Sequence, residues 1–154
     1  MYWTGNLAGT VHRAGMDGSS PVTLVTGLGL PRGLTIDFAS QRLYWTEFSG
    51  HKIKSSNLNG KDIQLFAQLP SGSQPWGIAV LNDRIYWGNQ GNYKLQSGAT
   101  DEAEYKTLYT ETNSIRHLTV VSGVDQPTKR RNDCAGQKCS TLCVLTPTLY
   151  RCLQ

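Results

Sequence analysis

The sequence predicts an all-β fold of three four-stranded antiparallel propeller blades, and three observations support this prediction. The pair Tyr44-Trp45 has one copy upstream and one copy downstream at the same spacing, Tyr2-Trp3 and Tyr86-Trp87. Each repeat contains several short apolar runs separated by Gly, Asn and Ser, which is typical of propeller blades. These runs are rich in Val, Ile, Thr, Tyr and Trp and are too short for helical repeats.

The middle repeat shows the elements of one blade most clearly. We predict its four strands at residues 42–46, 52–56, 63–67 and 77–80. Turns are predicted at Ser49-Gly50, Asn59-Gly60 and Ser71-Gly72. A blade cannot bury its own faces, so the apolar strand residues should be pressed between neighbouring blades. These residues are Leu43, Trp45, Ile53, Leu65, Ile78 and Val80, and the three Tyr-Trp pairs are expected to be core as well.

A turn pair recurs at a fixed offset from each Tyr-Trp pair. It reads Asp17-Gly18, Asn59-Gly60 and Thr100-Asp101 in the three repeats. The first two predict tight hairpins, because both central residues of the favoured turn need positive φ. The third pair has no glycine, so a looser hairpin is expected there.

The block Leu43-Tyr44-Trp45-Thr46 and its copies resemble the repeat of the YWTD β-propellers of low-density-lipoprotein-receptor-related proteins. The resemblance covers residues 1–126, with units near 1–42, 43–84 and 85–126. It implies half of a six-bladed ring. The chain departs from the family at the fourth position of the tetrad, where it has Gly5, Glu47 and Asn89.

The C-terminal segment resembles a second module of the same family. After a basic linker at residues 127–133, the cysteines of residues 134–154 have intervals that match the first four of an epidermal-growth-factor-like (EGF-like) module, here truncated. Spacing alone leaves three pairings open, and the intervals lack the C-x₂-C pairs of zinc ribbons. The resemblance implies the disulfides Cys134–Cys143 and Cys139–Cys152. The clustering indicates an oxidising compartment, so an extracellular location is expected, either secreted or in a receptor ectodomain.

Several functions are not expected from this sequence. The three histidines His12, His51 and His117 occupy different repeat positions, and no catalytic or phosphate-binding motif occurs, so neither enzymatic activity nor a metal or cofactor is predicted. The net charge is +4, and the basic run at residues 129–131 is interpreted as a solvated linker rather than a nucleic-acid site. No apolar stretch is long enough to span a membrane.

Ligand binding is therefore the predicted function, and the resemblance suggests where. In relatives of this family, the loops on one propeller face receive extracellular protein ligands. The matching residues precede the inner strands or follow the Tyr-Trp strands: Arg32, Trp76 and Arg116, then Glu47, Phe48, Asn89, Gln90 and Tyr93. Trp76 and Arg32 are the first candidates, because aromatic and Arg side chains anchor such surfaces. A secreted glycan-binding homodimer and a purely structural spacer are the alternatives.

Three repeats leave the first and last blades of a half ring uncovered. The register begins at the second strand of a blade and ends near Val120-Val121 with the first strand of a fourth. In a two-fold pair, each terminal strand would complete the first blade of the other copy and close a six-bladed ring. We expect such a homodimer; the alternative is half of a receptor ectodomain that needs its other blades.

Overall fold

In a computed structural model of the chain, residues 1–100 and 104–119 are described, together with the backbone of residues 142–145 and 150–153. These residues form three sheets, one for each repeat, and one two-stranded sheet. Within this described part, no helix is long and apolar enough to cross a membrane.

The three larger sheets are antiparallel meanders. The first contains β1 (Tyr2–Gly5), β2 (Thr10–Arg13) and β3 (Val22–Val25). The second contains β4 (Pro31–Asp37), β5 (Arg42–Glu47), β6 (Lys52–Asn57) and β7 (Gln64–Gln68). The third contains β8 (Pro75–Leu81), β9 (Arg84–Asn89), β10 (Lys94–Ala99) and β11 (Tyr105–Thr110). All four segments predicted in the middle repeat are strands, but they do not form one blade: residues 77–80 lie in β8 of the third sheet, and β4 is the inner strand of the second. The first blade has three described strands, because none lies on the inner edge of β1.

The chain divides into two units, residues 1–120 and residues 121–154, and the second contains two described strands. Its described strands, β12 (Leu142–Leu145) and β13 (Tyr150–Leu153), pair antiparallel with Cys143 opposite Cys152. The predicted linker at residues 127–133 lies outside the described residues, as do Cys134 and Cys139 and the side chains of Cys143 and Cys152. The EGF-like module and its disulfides therefore stay predictions.

The blades pack face to face through two hydrophobic clusters. Between the first and second blades, Leu43 and Trp45 are buried against Val11 and Val25. Between the second and third, the buried core is made of Tyr44, Ile53, Ala67, Leu69, Ile78, Ile85 and Trp87. Strand alternation sends Tyr44 and Trp45 to opposite faces of their blade, so the middle repeat supplies a side chain to both clusters.

Two predicted core positions are wrong. Leu65 is 56% exposed, because the β6–β7 register shifts between Ile53 and Lys54. This bulge turns Phe66 toward the third blade in its place. Trp3 is 38% exposed, although its repeat counterparts Trp45 and Trp87 are fully buried. No described blade covers that side of the first sheet.

The prediction of tight hairpins is also wrong. The strands β6 and β7 are separated by residues 58–63, and only Gly60 of the turn pair has positive φ, 74°. The Asn57 side chain instead accepts hydrogen bonds from the backbone N–H groups of Asn59 and Lys61, both at 3.0 Å. The Asn and Gly signals therefore mark a longer loop held by side-chain hydrogen bonds. The third turn pair includes Asp101, which lies outside the described residues.

The sequence repeat extends to backbone conformation. Gly9, His51 and Tyr93 occupy the same position in successive repeats and have φ values of 63°, 50° and 57°. Such values are uncommon for residues other than glycine. The loop that follows each Tyr-Trp strand therefore has a left-handed residue at the same position, although its side chain differs between repeats.

Thr46 joins the second blade to the third. Its buried hydroxyl donates to the Trp76 carbonyl at 2.8 Å and accepts from the Gly33 N–H at 2.9 Å. Thr4 likewise donates to the Arg32 carbonyl at 2.8 Å. The third repeat has Gly88 here, and the Ile115 side chain lies so close that a Cβ on Gly88 would collide with it. The departure from threonine at this position thus follows from packing.

Replacing Thr46 with valine is expected to lower the free energy of unfolding by about 1–3 kcal/mol, because the half-buried Gly33 N–H and Trp76 carbonyl lose their partner while the volume is kept. Urea unfolding followed by circular dichroism measures the change. Thr110→Val, on the exposed strand β11, is the matched control and should unfold at the wild-type urea concentration. Equal midpoints for the two variants would contradict a bridging role for Thr46.

Candidate functional site

The predicted loop face exists in the structure. The end of β5 lies opposite the start of β4, with Glu47 paired with Pro31, and the third blade repeats this arrangement. The loops are tied together at that end, because the Phe48 N–H donates to the Leu30 carbonyl at 3.1 Å. Loops that follow Tyr-Trp strands and loops that precede inner strands thus lie at the same end of the blades, called here the loop face.

A bulge in each inner strand positions the central residues of this face. The bulges fall at Arg32-Gly33 in β4 and at Trp76-Gly77 in β8. Gly33 has no side chain, and the Trp76 carbonyl occupies the space that a Cβ would need. A Cβ on Gly77 would likewise lie 2.8 Å from the Arg116 carbonyl oxygen. These close approaches place Arg32, Trp76 and Arg116 in a row along successive chain segments.

The side chains of this row contact one another. The Arg32 guanidinium carbon lies 4.1 Å from the Trp76 ring centroid, and that of Arg116 lies 5.4 Å from it. Phe48 meets Trp76 edge to face, with centroids 5.8 Å apart. Both guanidinium groups are within the range of cation–π attraction. We call Arg32, Phe48, Trp76 and Arg116 the Trp76 cluster.

The positive charge of this cluster is not neutralised within the described part of the chain. The two ion pairs there are Arg42–Asp62 and Lys54–Glu47, and neither involves Arg32 or Arg116. Guanidinium groups remain charged at physiological pH and present donors in a planar fork. Trp76, Arg32 and Phe48 are half-buried and Arg116 is exposed. The cluster is therefore a surface that is both aromatic and positively charged.

Two predicted site residues have internal roles. Glu47 is buried and accepts hydrogen bonds from the Trp45 indole at 3.3 Å and the Gly29 N–H at 3.1 Å, beside Lys54 at 2.9 Å. Asn89 is buried and donates to the Gln96 side chain at 2.8 Å. Strand alternation explains this, because the fourth position points to the same side as the Trp two residues earlier.

Two other predicted residues lie on the loop face beside the cluster. Gln90 is half-buried, and its carbonyl accepts a hydrogen bond from Ser114 at 3.3 Å. Tyr93 is 40% exposed in the loop after β9. The described contacts do not join either side chain to the Trp76 cluster.

His51 also lies on the loop face, although it was not predicted as a site residue. Its ring accepts a hydrogen bond from the Gln74 N–H at 3.4 Å, just before Trp76 in the chain. The signal was present, because His51 lies one repeat before Tyr93. Among the residues that the structure describes, no three His, Cys, Asp or Glu side chains are grouped closely enough to hold a metal ion.

Comparison with known proteins supports the resemblance drawn from the residues. Residues 41–80 match the family model of the low-density lipoprotein receptor repeat class B. The chain is 34% identical over 149 residues to low-density lipoprotein receptor-related protein 5 of Mus musculus and of Homo sapiens. The match covers 92% of this chain and 9% of each receptor. The chain thus spans a small part of these relatives.

Solved structures share the architecture. A chain in the crystal structure of a nidogen/laminin complex is similar with a TM-score of 0.69 and 22% identity, over 76% of this chain and 46% of that chain. A streptogramin B lyase is similar with a TM-score of 0.64 and 19% identity, over 75% of this chain and 39% of that chain. At such identities these likenesses show the fold alone, and the predicted propeller fold is confirmed.

Proposed function

The chain belongs to the YWTD β-propeller family of low-density-lipoprotein-receptor-related proteins, and from this premise we propose that it is a non-enzymatic extracellular module that binds a protein ligand at the Trp76 cluster. The observation that carries the proposal is the arrangement of two guanidinium groups over one indole, without an acidic partner among the described residues. The related receptors are the basis for the extracellular location.

The chemistry of the cluster favours a protein surface that carries carboxylates. Arginine and tryptophan are enriched among the residues that dominate binding energy at interfaces. A guanidinium group already stacked on Trp76 loses little freedom when a ligand binds, and its outward donors match the oxygen pair of Asp or Glu. Binding should therefore weaken as the salt concentration rises.

Replacing Arg32 with alanine is expected to weaken ligand binding by about 30-fold, the effect of losing about 2 kcal/mol at a central anchor. The probes are peptides selected on the wild-type protein from a phage-displayed random library, and their affinities are measured by biolayer interferometry. The selected peptides should be enriched in Asp and Glu. Peptides that bind the Arg32→Ala variant as tightly as wild type would contradict the proposed site.

Arg84→Ala is the matched control for this experiment. Arg84 is half-buried like Arg32, but it begins β9 at the opposite end of the third blade and donates to Ser97 at 3.2 Å. Its replacement should leave peptide affinity within about twofold of wild type, as expected for a residue outside the interface.

The glycan-binding alternative has less support from the geometry. A sugar site needs an aromatic face beside hydrogen-bonding side chains, and the predicted Glu47 and Asn89 are turned into the protein. Competition by glucose, galactose, mannose or N-acetylglucosamine for the selected peptides would favour that alternative. Failure to select any peptide or sugar would favour the spacer.

We also propose a second copy of this chain as an assembly partner that completes a six-bladed ring. Support comes from the first sheet, whose Trp3 side is not covered by any blade of the described structure. The mass of the protein in solution, measured by light scattering over a dilution series, tests this homodimer.

A further inference from the structure

In the part of the chain that the structure describes, the outer strands of the third blade have no blade packed against their outer side, and residues 115–119 lie against its inner strands. The outer side carries Leu108 and Tyr109, which are 43% and 57% exposed. Large apolar side chains grouped on one surface favour association with a partner. This surface and the Trp3 side of the first blade are at opposite ends of the row of blades, because the second blade contacts both others.

The repeat shows what kind of surface would fit Leu108. Leu108 is the repeat counterpart of Phe66, and both occupy the bulge of the outermost strand of their blade. Phe66 packs edge to face against Trp87 of the next blade, with ring centroids 6.2 Å apart. Trp87 is in turn the repeat counterpart of Trp3. By this equivalence, a blade that exposes Trp3 could pack against Leu108 in the way that the third blade packs against Phe66 of the second.

Backbone edges give a second match between the same two ends. Residues 115–119 lie beside β8 as β8 lies beside β4: the Arg116 carbonyl faces Gly77 as the Trp76 carbonyl faces Gly33. The Ile115 N–H contacts the Asn89 carbonyl at 3.5 Å. The segment is in no sheet of the described structure, and neither is the inner edge of β1 paired there. Unpaired edges of this kind are templates for strand pairing.

We propose that residues 115–119 of one copy pair antiparallel with β1 of a second copy, giving the first blade of that copy its fourth strand. This inference rests on the homodimer proposed above. The register follows from the other blades, where Leu34 pairs with Trp45 and Ile78 with Trp87. Leu118 of one copy thus lies opposite Trp3 of the other. A two-fold axis forms this contact twice, which leaves no open edge.

Leu108→Glu tests the proposal without disturbing the fold of one chain, because that side chain is exposed. Light scattering on a sizing column should give about twice 17.0 kDa for the wild type and about 17.0 kDa for the variant. Leu65→Glu is the matched control: Leu65 is 56% exposed on the second blade, so the dimer mass should be retained. Hydrogen exchange of the peptide that contains β1 should be slow in the wild type and faster in Leu108→Glu.

The possible outcomes distinguish the homodimer from the strand pairing that is proposed within it. A single-chain mass at every concentration would overturn the second copy as partner and favour further blades of a longer chain. If the Leu108→Glu variant were still a dimer, the strand pairing would be overturned while the homodimer was kept. The same conclusion would follow if the β1 peptide of the wild-type dimer exchanged as fast as that of the variant. The peptide affinity of the Arg32→Ala variant tests ligand binding alone, and the mass of the Leu108→Glu variant tests assembly alone. Failure of one proposal can therefore be distinguished from failure of the other.

Discussion

Replacing Trp45 with alanine is expected to lower the free energy of unfolding by about 3–5 kcal/mol, the usual cost of removing a buried Trp side chain. Trp45 is fully buried between the first and second blades. Its loss opens a cavity there and takes a hydrogen-bond donor from the buried Glu47. Such a cost is a large fraction of the stability of a small domain. Urea unfolding followed by far-ultraviolet circular dichroism measures it.

Trp76→Ala is the informative control, because Trp45 should mainly affect stability whereas Trp76 should mainly affect ligand binding. Trp76 is half-buried, and its described partners are the side chains of the cluster on the loop face. Its loss should cost about 1 kcal/mol of stability, the usual size for a point substitution, but it should abolish binding of the selected peptides. Equal destabilisation by the two substitutions would place Trp76 in the structural core and contradict the proposed site.

Replacing Gly33 with alanine is expected to destabilise the protein by about 1–3 kcal/mol through overpacking. The added Cβ would collide with the Trp76 carbonyl oxygen, a backbone atom that also accepts the Thr46 hydroxyl. A backbone atom held in this way cannot move aside as the end of a flexible side chain can. The third blade would shift away from the second, so Arg32 would lose its stacking on Trp76 and peptide binding should weaken too.

Gly50→Ala controls for the general effect of adding a methyl group to a glycine near the same face. A Cβ there meets the Lys52 side chain at 3.5 Å, an ordinary van der Waals distance, and φ is not in the left-handed region. Its stability should stay within about 0.5 kcal/mol of wild type. Thermal unfolding of both variants checks this, and a Gly33→Ala protein as stable as Gly50→Ala would refute the close approach of the two inner strands.

Much of the fold could be predicted because the repeat is strict. The constant spacing of the Tyr-Trp pairs made the strands of the middle repeat predictable. Arg32, Trp76 and Arg116 are not equally spaced, and their shared position followed instead from the similar short sequences around the inner strands. Bulges could not be predicted in the same way. One extra residue in β7 reverses the alternation of side chains, and Phe66 replaces Leu65 in the core.

The sequence predicted which end of the blades carries the candidate site, but it did not predict all of the side chains that are exposed there. Glu47 and Asn89 were predicted on the loop face because they follow the Tyr-Trp strands, but both are buried. Each of the two polar side chains is instead matched by its own cross-strand neighbour, Lys54 for Glu47 and Gln96 for Asn89. These neighbours also occupy equivalent positions in successive repeats. Two interacting residues that change together, such as Glu47 with Lys54, cannot be recognised when each sequence position is considered alone.

The left-handed backbone shared by Gly9, His51 and Tyr93 makes the loop face suitable for engineering. The backbone at this position keeps its left-handed φ whether the residue is glycine, histidine or tyrosine. Side chains of different size are therefore compatible with the loop. Randomising Tyr93, which is 40% exposed, would therefore diversify recognition. Residue 9 has to stay glycine, because a Cβ there would lie 2.6 Å from the Leu28 carbonyl oxygen, and His51 has to stay because it accepts a hydrogen bond from the Gln74 N–H. Besides the ligand site proposed at its Trp76 cluster, the protein thus offers a scaffold for selecting new ligands.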